Sequence, residues 1–154
     1  MDLTTELFVR PDVVLLDSTA TSREAVIREW HGQLAARPGV LDGDRLLFDL
    51  LERSVQASVC VSAETAMPHA RTDAVERLML GVGRLAGAGV AFDPEHLHIR
   101  LIFLVAVPKA KVDEYLAAIA AIARVLKHEP VRAGLLQARD AGEFCAFLAQ
   151  GARP

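Results

Sequence analysis

Apolar residues in the N-terminal third recur with the spacing of a helix. Val26, Trp30 and Leu34 are four residues apart, so a helix would place all three on one face. The segment 21–24 just before them has the Thr-x-x-Glu spacing of a capping box, which predicts that the helix begins there. Pro38-Gly39 predicts its end.

A second apolar stripe follows closely. Residues 42–44 can begin a helix, and the stripe runs out near Arg53. Its members are Leu46, Leu47, Leu50 and Leu51. Residues 1–12 show no such period, so we expect them to be extended or loose, and residues 13–16 form a short candidate strand. The first third therefore predicts one strand and two amphipathic helices.

The middle of the chain changes to the period of a strand. Apolar residues mostly alternate through 77–85, where two glycines allow close packing of neighbouring backbones. The strongest strand candidate is 97–107, because its second half is continuously apolar, as expected of a central strand covered on both faces. Pro108 closes it. Shorter strands are predicted at 58–61 and 90–92.

The C-terminal third returns to a helical period. Residues 111–127 predict a long helix, and a proline suited to a first helical turn predicts a short one over 130–137. An acidic variant of the capping box at 140–143 predicts the start of a last helix, with Gly151 as its C-terminal cap. The order of elements predicts a single-domain α/β sandwich, with a mixed, about five-stranded β-sheet flanked by α-helices on both faces.

Composition narrows the possible classes of protein. The chain has 154 residues, of which 52% are hydrophobic, and no linker interrupts it, so we expect one domain over 1–154 with a core of about 13–150. The net charge is −3 and no basic run is present, which argues against a nucleic-acid partner. No secretory signal is recognisable, and the longest strongly apolar stretch, 101–107, is too short for membrane insertion. We therefore expect a cytoplasmic protein, whose two cysteines lack the spacing of a metal or redox motif.

The segment 52–71, ERSVQASVCVSAETAMPHAR, carries the candidate chemistry. It resembles the phosphorylation-site segment of the fructose/mannitol-type (type 2) IIA components of the bacterial sugar phosphotransferase system, including the nitrogen-regulatory branch. In that family Glu-Arg-Glu ends a helix, and a Ser-Thr pair, a Gly-rich turn and Ala-Ile-Pro-His follow. The matching residues here are Glu52, Arg53, Ser58, Ala66, Pro68 and His69. The later segments VGRLAGAGVAFD and LIFLVAVP resemble the family's strands, so the resemblance covers most of the chain.

The resemblance implies that His69 accepts a phosphoryl group, which makes the chain a phosphohistidine carrier. The donor would be the phosphocarrier HPr or a paralogue, and the recipient a sugar-specific IIB domain or a regulatory target protein. Neither a cofactor nor a metal is implied. An imidazole suits the role, because much of it is neutral and nucleophilic near pH 7. Arg53 can offer a planar fork and Ser58 a hydroxyl to the phosphoryl oxygens, aided by Arg71 and by backbone N–H groups of 58–65.

The same resemblance makes geometric predictions. His69 is expected at a strand end or in the loop after it, partly exposed in a shallow depression. Arg53 is expected to lie near His69 in space, with the last turn of its helix aimed at the site. If the carboxylate of Glu64 lies within about 5 Å of the phosphoryl group, the two negative charges repel each other.

Several positions depart from the family pattern. They are Ser54, Val59, Glu64 and Thr65 around the site, and Tyr115, where some members have a second histidine. These changes leave an alternative open, a non-catalytic IIA-like regulatory binding module with weak or no phosphorylation. A further alternative is metal binding at His96 and His98 with His69, although no third ligand beside the first pair is evident.

Overall fold

Five strands and six helices are formed by residues 3–152, which are the residues that the computed structural model describes. In chain order they are α1 (Leu3–Val9), β1 (Val13–Ser18), α2 (Arg23–Leu34), α3 (Gly43–Gln56), β2 (Thr65–Ala66), β3 (His69–Arg71), β4 (Met79–Leu85), β5 (Leu101–Val107), α4 (Val112–Lys127), α5 (Glu129–Gln137) and α6 (Ala141–Ala152). None of these helices combines the length and the apolar character that crossing a membrane requires.

The sheet is mixed and has β4 and β5 as its antiparallel centre. At one edge β1 runs parallel to β4, whereas β2 and β3 both run parallel to β5 on its other side. Thr65 of β2 pairs with the start of β5, and His69 of β3 pairs with Val105 further along. Pro68 lies between the two short strands, where its missing N–H cannot continue the ladder. The predicted mixed, five-stranded sheet is confirmed.

Both faces of the sheet are covered by helices, as predicted. Successive residues of a strand point to opposite faces, so Phe103 packs in the cluster with α1, α4, α5 and α6, whereas Leu104 packs in the cluster with α2 and α3. The predicted stripe of α2 is fully buried: Val26, Trp30 and Leu34 each have 0% of their surface exposed. The α/β sandwich therefore follows from two periods, 2 in the strands and 3.6 in the helices.

β1 approaches β4 unusually closely. A Cβ atom added to Gly83 would lie 2.0 Å from the Leu15 carbonyl oxygen and 2.6 Å from Cζ2 of Trp30. No side chain fits in that space, so the glycine lets the β1 backbone and the α2 indole meet over β4. This contact explains one of the two glycines that interrupt the apolar pattern of β4.

The first helix was missed by the sequence pattern. Residues 1–12 were expected to be extended or loose, yet 3–9 form α1; Met1 and Asp2 lie outside the described residues. Phe8 is 1% exposed and tilts against Phe103 of β5, with ring centroids 6.3 Å apart. A two-turn helix is too short for a clear period, and tertiary burial stabilises it.

Several boundaries also differ from the predictions. The N-cap of α2 lies one residue after the expected Thr21, because the Ser22 hydroxyl accepts the Ala25 N–H. α3 continues past Arg53 to Gln56, and α6 runs through Gly151 to Ala152. The short strands predicted at 58–61 and 90–92 are single bridges, Cys60 with Ala66 and Val90 with Ile99. In each of these segments only one residue pairs with a neighbour, so no strand forms.

Candidate functional site

His69 lies at the start of β3 and lines an open cavity of about 400 Å³. The carbonyl of Pro68 accepts the Val105 N–H at 2.9 Å, which fixes the backbone beside the ring on central strand β5. The other cavity residues are Asp49, Glu52, Arg53, Gln56, Ala70, Arg71 and Tyr115. A strand end facing a depression was predicted, but with 7% of its surface exposed His69 is more deeply set than expected.

One hydrogen bond determines which nitrogen of His69 is available. Nδ1 of the ring lies 2.9 Å from the carbonyl oxygen of Met67. A carbonyl can only accept, so Nδ1 carries the proton, and in the neutral ring the lone pair is on Nε2. Burial lowers the pKa of His69, the Met67 carbonyl opposes that shift, and the Arg53 guanidinium adds to it. The ring is therefore neutral at pH 7, with Nε2 as its nucleophilic atom.

Arg53 meets His69 at the same cavity, although 16 positions separate them in the chain. The guanidinium projects from the last turn of α3, where Nη1 donates to the carbonyl oxygen of Ala57, the C-cap residue, at 3.0 Å. That bond holds the side chain beside the end of the helix and occupies one of the five N–H groups of the guanidinium, so others can bind an anion. The last turn of α3 thus points toward the site, as predicted.

Arg71 and Tyr115 line the same cavity. The Arg71 guanidinium carbon lies 5.6 Å from the centre of the Tyr115 ring, and Nη2 donates to the Lys109 carbonyl at 3.3 Å. The rings of Tyr115 and His69 are 5.8 Å apart between centroids. Tyr115, in the first turn of α4, therefore packs beside the imidazole and holds Arg71 by a cation–π contact.

One face of α3 supplies cavity residues that the sequence analysis did not single out. Asp49 precedes Arg53 by one helical turn and Gln56 follows it by about one, so the three share a face. The Asp49 carboxylate accepts a hydrogen bond from the Thr72 hydroxyl at 2.6 Å, which ties α3 to the end of β3. Counting in steps of three and four from Arg53 could have identified both residues.

Other sequence candidates lie elsewhere. The Ser58 hydroxyl donates to Asp93 Oδ2 at 3.0 Å and lines a separate cavity of about 240 Å³, so the structure does not bring it together with His69. Val59 is buried in the core under α2 and α3. Glu64 does not line the His69 cavity, and its carbonyl accepts the N–H groups of Arg100 and Leu101. The condition for charge repulsion was a Glu64 carboxylate close to the phosphoryl group, and the lining of the His69 cavity gives it no support.

The histidines of the metal hypothesis are not assembled around His69. Nδ1 of His96 lies 2.7 Å from Asp93 Oδ1, next to the second cavity, which is lined by Cys60 and Asp93. The hydrogen bond from His96 lowers the pKa of Asp93 to about 2, and burial raises the pKa of the Cys60 thiol to about 11. At pH 7 this thiol is protonated, so it is not a reactive nucleophile.

Comparison with known proteins matches almost the whole chain. The model of the family "Phosphoenolpyruvate-dependent sugar phosphotransferase system, EIIA 2" matches residues 7–151. The chain is 35% identical over 143 residues to a PTS system fructose-specific EIIA component of Haloferax volcanii, covering 91% of this chain and 92% of that protein. It is 28% identical over 147 residues to a nitrogen regulatory protein of Bradyrhizobium diazoefficiens, covering 92% of each.

Solved structures share the fold. The nitrogen regulatory protein IIA-Ntr from Neisseria meningitidis superposes with a TM-score of 0.81 at 24% identity, covering 96% of this chain and 99% of the other. The enzyme IIA of mannitol from Escherichia coli, solved in complex with phosphorylated enzyme IIB, superposes with a TM-score of 0.73 at 19% identity, covering 90% and 95%. Both likenesses cover at least 90% of this chain.

Proposed function

This chain belongs to the phosphoenolpyruvate-dependent sugar phosphotransferase system EIIA 2 family, and from that premise we propose that it is a phosphohistidine carrier with His69 as the acceptor. The donor is HPr or a paralogue, and the recipient is a IIB domain or a regulatory target. The fructose-specific relative supports sugar transport, the nitrogen regulatory relative supports a signalling role, and the mannitol complex supports a IIB partner.

The observation that carries this proposal is the hydrogen bond between Nδ1 of His69 and the Met67 carbonyl. With Nδ1 protonated, the Nε2 lone pair attacks the phosphorus of the donor's phosphohistidine. The new Nε2–P bond forms as the donor's N–P bond breaks, and the donor imidazole recovers that electron pair. Phosphorylation makes the His69 ring more positive, so its Nδ1–H bond to the carbonyl strengthens as the transfer proceeds.

The charges around the cavity suit a group that must also leave. Arg53 and Arg71 offer donors to the phosphoryl oxygens, which add a charge close to −2. Asp49 and Glu52 line the same cavity and balance the two guanidiniums before the group arrives. The phosphoryl group is therefore met by cations but not enclosed by them, which keeps it transferable to the next protein.

The alternative, a binding module without phosphorylation, is not favoured. It depended on Ser54, Val59, Glu64 and Thr65, but none of these four residues lines the His69 cavity, and Val59 lies in the core. The departures from the family pattern at these positions therefore lie outside the cavity. Inside the cavity, the residue that departs from the family pattern is Tyr115. It packs beside the His69 ring and does not replace the nucleophilic atom Nε2.

Phosphorylation can be tested directly on the whole chain. The protein is incubated with phosphoenolpyruvate, enzyme I and HPr, and its mass is followed over time. We expect a gain of one phosphate that is labile in acid and stable in base, retained by His98→Gln and lost by His69→Gln. An unchanged mass in the wild type, under conditions that label another IIA protein, would refute the proposal.

A further inference from the structure

A second group of functional side chains lies outside the His69 cavity, where two turns meet. Cys60 lies between α3 and β2, and Asp93 and His96 lie in the tight turn before β5. The Cys60 sulfur, one carboxylate oxygen of Asp93 and one ring nitrogen of His96 all lie within 4.8 Å of one another. The three side chains are half-buried, and Glu95 lines the same small cavity. Three different ligand types therefore converge on one point.

The separations of these atoms are near those between the ligands of a tetrahedral ion, with the sulfur close to Oδ2 of Asp93 and the imidazole close to Oδ1. Zinc bonds of about 2.0 Å to nitrogen or oxygen and 2.3 Å to sulfur put neighbouring ligand atoms about 3.3–3.5 Å apart. The Cys60 sulfur lies 3.6 Å from Asp93 Oδ2, close to that value. Nδ1 of His96 and Oδ1 of Asp93 are 2.7 Å apart because they share a proton, and they would separate by less than about 1 Å to admit the ion.

We propose that Cys60, Asp93 and His96 form a binding site for a divalent ion of the zinc class, with water as the fourth ligand. Thiolate and imidazole ligands select zinc over calcium or magnesium, which prefer oxygen. One thiolate and one carboxylate neutralise the two charges of the ion. On binding, the thiol proton leaves to solvent and the sulfur–metal bond forms. The proton between Nδ1 of His96 and Asp93 is also released to solvent, Nε2 keeps or takes up the ring's remaining proton, and His96 binds through the lone pair of Nδ1.

The surroundings support the site. The Ser58 hydroxyl donates to the same carboxylate and accepts the Cys60 N–H, so it holds the ligand turn in place. The Arg23 guanidinium also lines the cavity, but its Nη1 donates to the Phe92 carbonyl at 3.1 Å. An outer hydrogen bond of the Ser58 kind orients a ligand carboxylate.

Cobalt(II) is a suitable probe, because it replaces zinc and reports both sulfur ligation and tetrahedral geometry by its absorption. The metal-free, reduced full-length chain is titrated with Co²⁺, followed by competition with Zn²⁺. We expect one ion per chain, visible bands of tetrahedral Co²⁺ and a thiolate-to-metal charge-transfer band. Cys60→Ser should lose that band, and Cys60→Ser and His96→Gln should each bind at least about 100-fold more weakly, since even outer partners are worth about 10- to 100-fold.

Matched controls are available in the chain. Cys145→Ser removes the other cysteine and His98→Gln a nearby exposed histidine, and both should bind like the wild type. The circular dichroism and metal-free melting temperature of each variant establish that it is folded. A wild type without the thiolate band, or a band lost in Cys145→Ser but kept in Cys60→Ser, would overturn the site. Equal affinity of His96→Gln and the wild type would do the same. The readout does not depend on phosphorylation of His69, so each proposal can fail separately.

Discussion

Replacement of Arg53 by glutamine tests whether α3 contributes a cation to phosphoryl transfer. The guanidinium lines the His69 cavity and helps to lower the pKa of the imidazole, so the two groups interact electrostatically in the free protein. In the transition state the negative charge of the phosphoryl group is spread over its three equatorial oxygens, which would lie in the same cavity. Loss of the cation should therefore slow phosphorylation without preventing it, because Nε2 of His69 remains in place.

The size of the effect follows from the kind of bond that is lost. A hydrogen bond to a charged group contributes about 1.5–3 kcal/mol, which is roughly 10- to 150-fold in rate. Arg53 is half-buried and partly screened by solvent, so the lower half of that range is expected. Arg53→Lys keeps the charge but not the planar fork, and should fall between the wild type and Arg53→Gln.

The assay is a time course of phosphate gain at limiting phospho-HPr, with Arg28→Gln as the matched control. Arg28 pairs with Glu24 on the exposed side of α2, so its loss should leave the rate unchanged and cost at most about 1 kcal/mol of stability. An NMR titration gives a second readout: the pKa of His69 should rise in Arg53→Gln, because one of the causes of its lowering is gone. A wild-type rate together with an unchanged His69 pKa would refute the reasoning.

Three further outcomes are expected. Because burial lowers the pKa of His69, the unfolded chain binds the proton more readily; the contribution to stability is complete above about pH 6.5 and is lost as the pH falls toward the lowered folded value. Urea unfolding should accordingly show a larger loss on acidification in the wild type than in His69→Gln, and equal losses would contradict it. Gly83→Ala should destabilise by about 3 kcal/mol or more in thermal unfolding, because its Cβ meets the Leu15 carbonyl, whereas Gly32→Ala, with nothing within 4 Å, should stabilise by about 1 kcal/mol. Glu64→Gln should leave the phosphorylation time course unchanged, and a clear acceleration would mean that the carboxylate reaches the site.

The elements that could be predicted are those whose apolar residues form a clear local pattern and are also the residues that become buried. The continuous apolar run that ends at Pro108 became the buried half of β5, and the four-residue spacing from Val26 became the buried face of α2. α1 was missed because Phe8 is stabilised by a distant partner, Phe103, rather than by a period of its own. Burial by elements far away in the chain leaves little trace in a seven-residue window.

The functional site also contains residues that the sequence could predict and residues that it could not. His69 and Arg53 could be predicted together because a family motif fixes their spacing, whereas Ser58, inside the same motif, turns toward Asp93. The cluster of Cys60 with Asp93 and His96 has no signal in the sequence, since more than 30 positions separate the cysteine from the carboxylate. Only the folding of one turn onto the other brings these ligand atoms together.

Hydrogen bonds of Met67 connect His69, which lines the first cavity, to Val59, which lines the second. The Met67 carbonyl accepts the Nδ1–H of His69, and the Met67 N–H donates to the Val59 carbonyl at 2.7 Å. Val59 precedes Cys60 in the chain and follows Ser58, whose hydroxyl donates to the Asp93 carboxylate. Met67 therefore both orients the ring of His69, the proposed acceptor, and pairs with the turn formed by residues 58–60. An ion bound at Cys60 would make that turn more rigid. Through Met67, such an ion could change the position of the His69 imidazole without contacting the phosphoryl group.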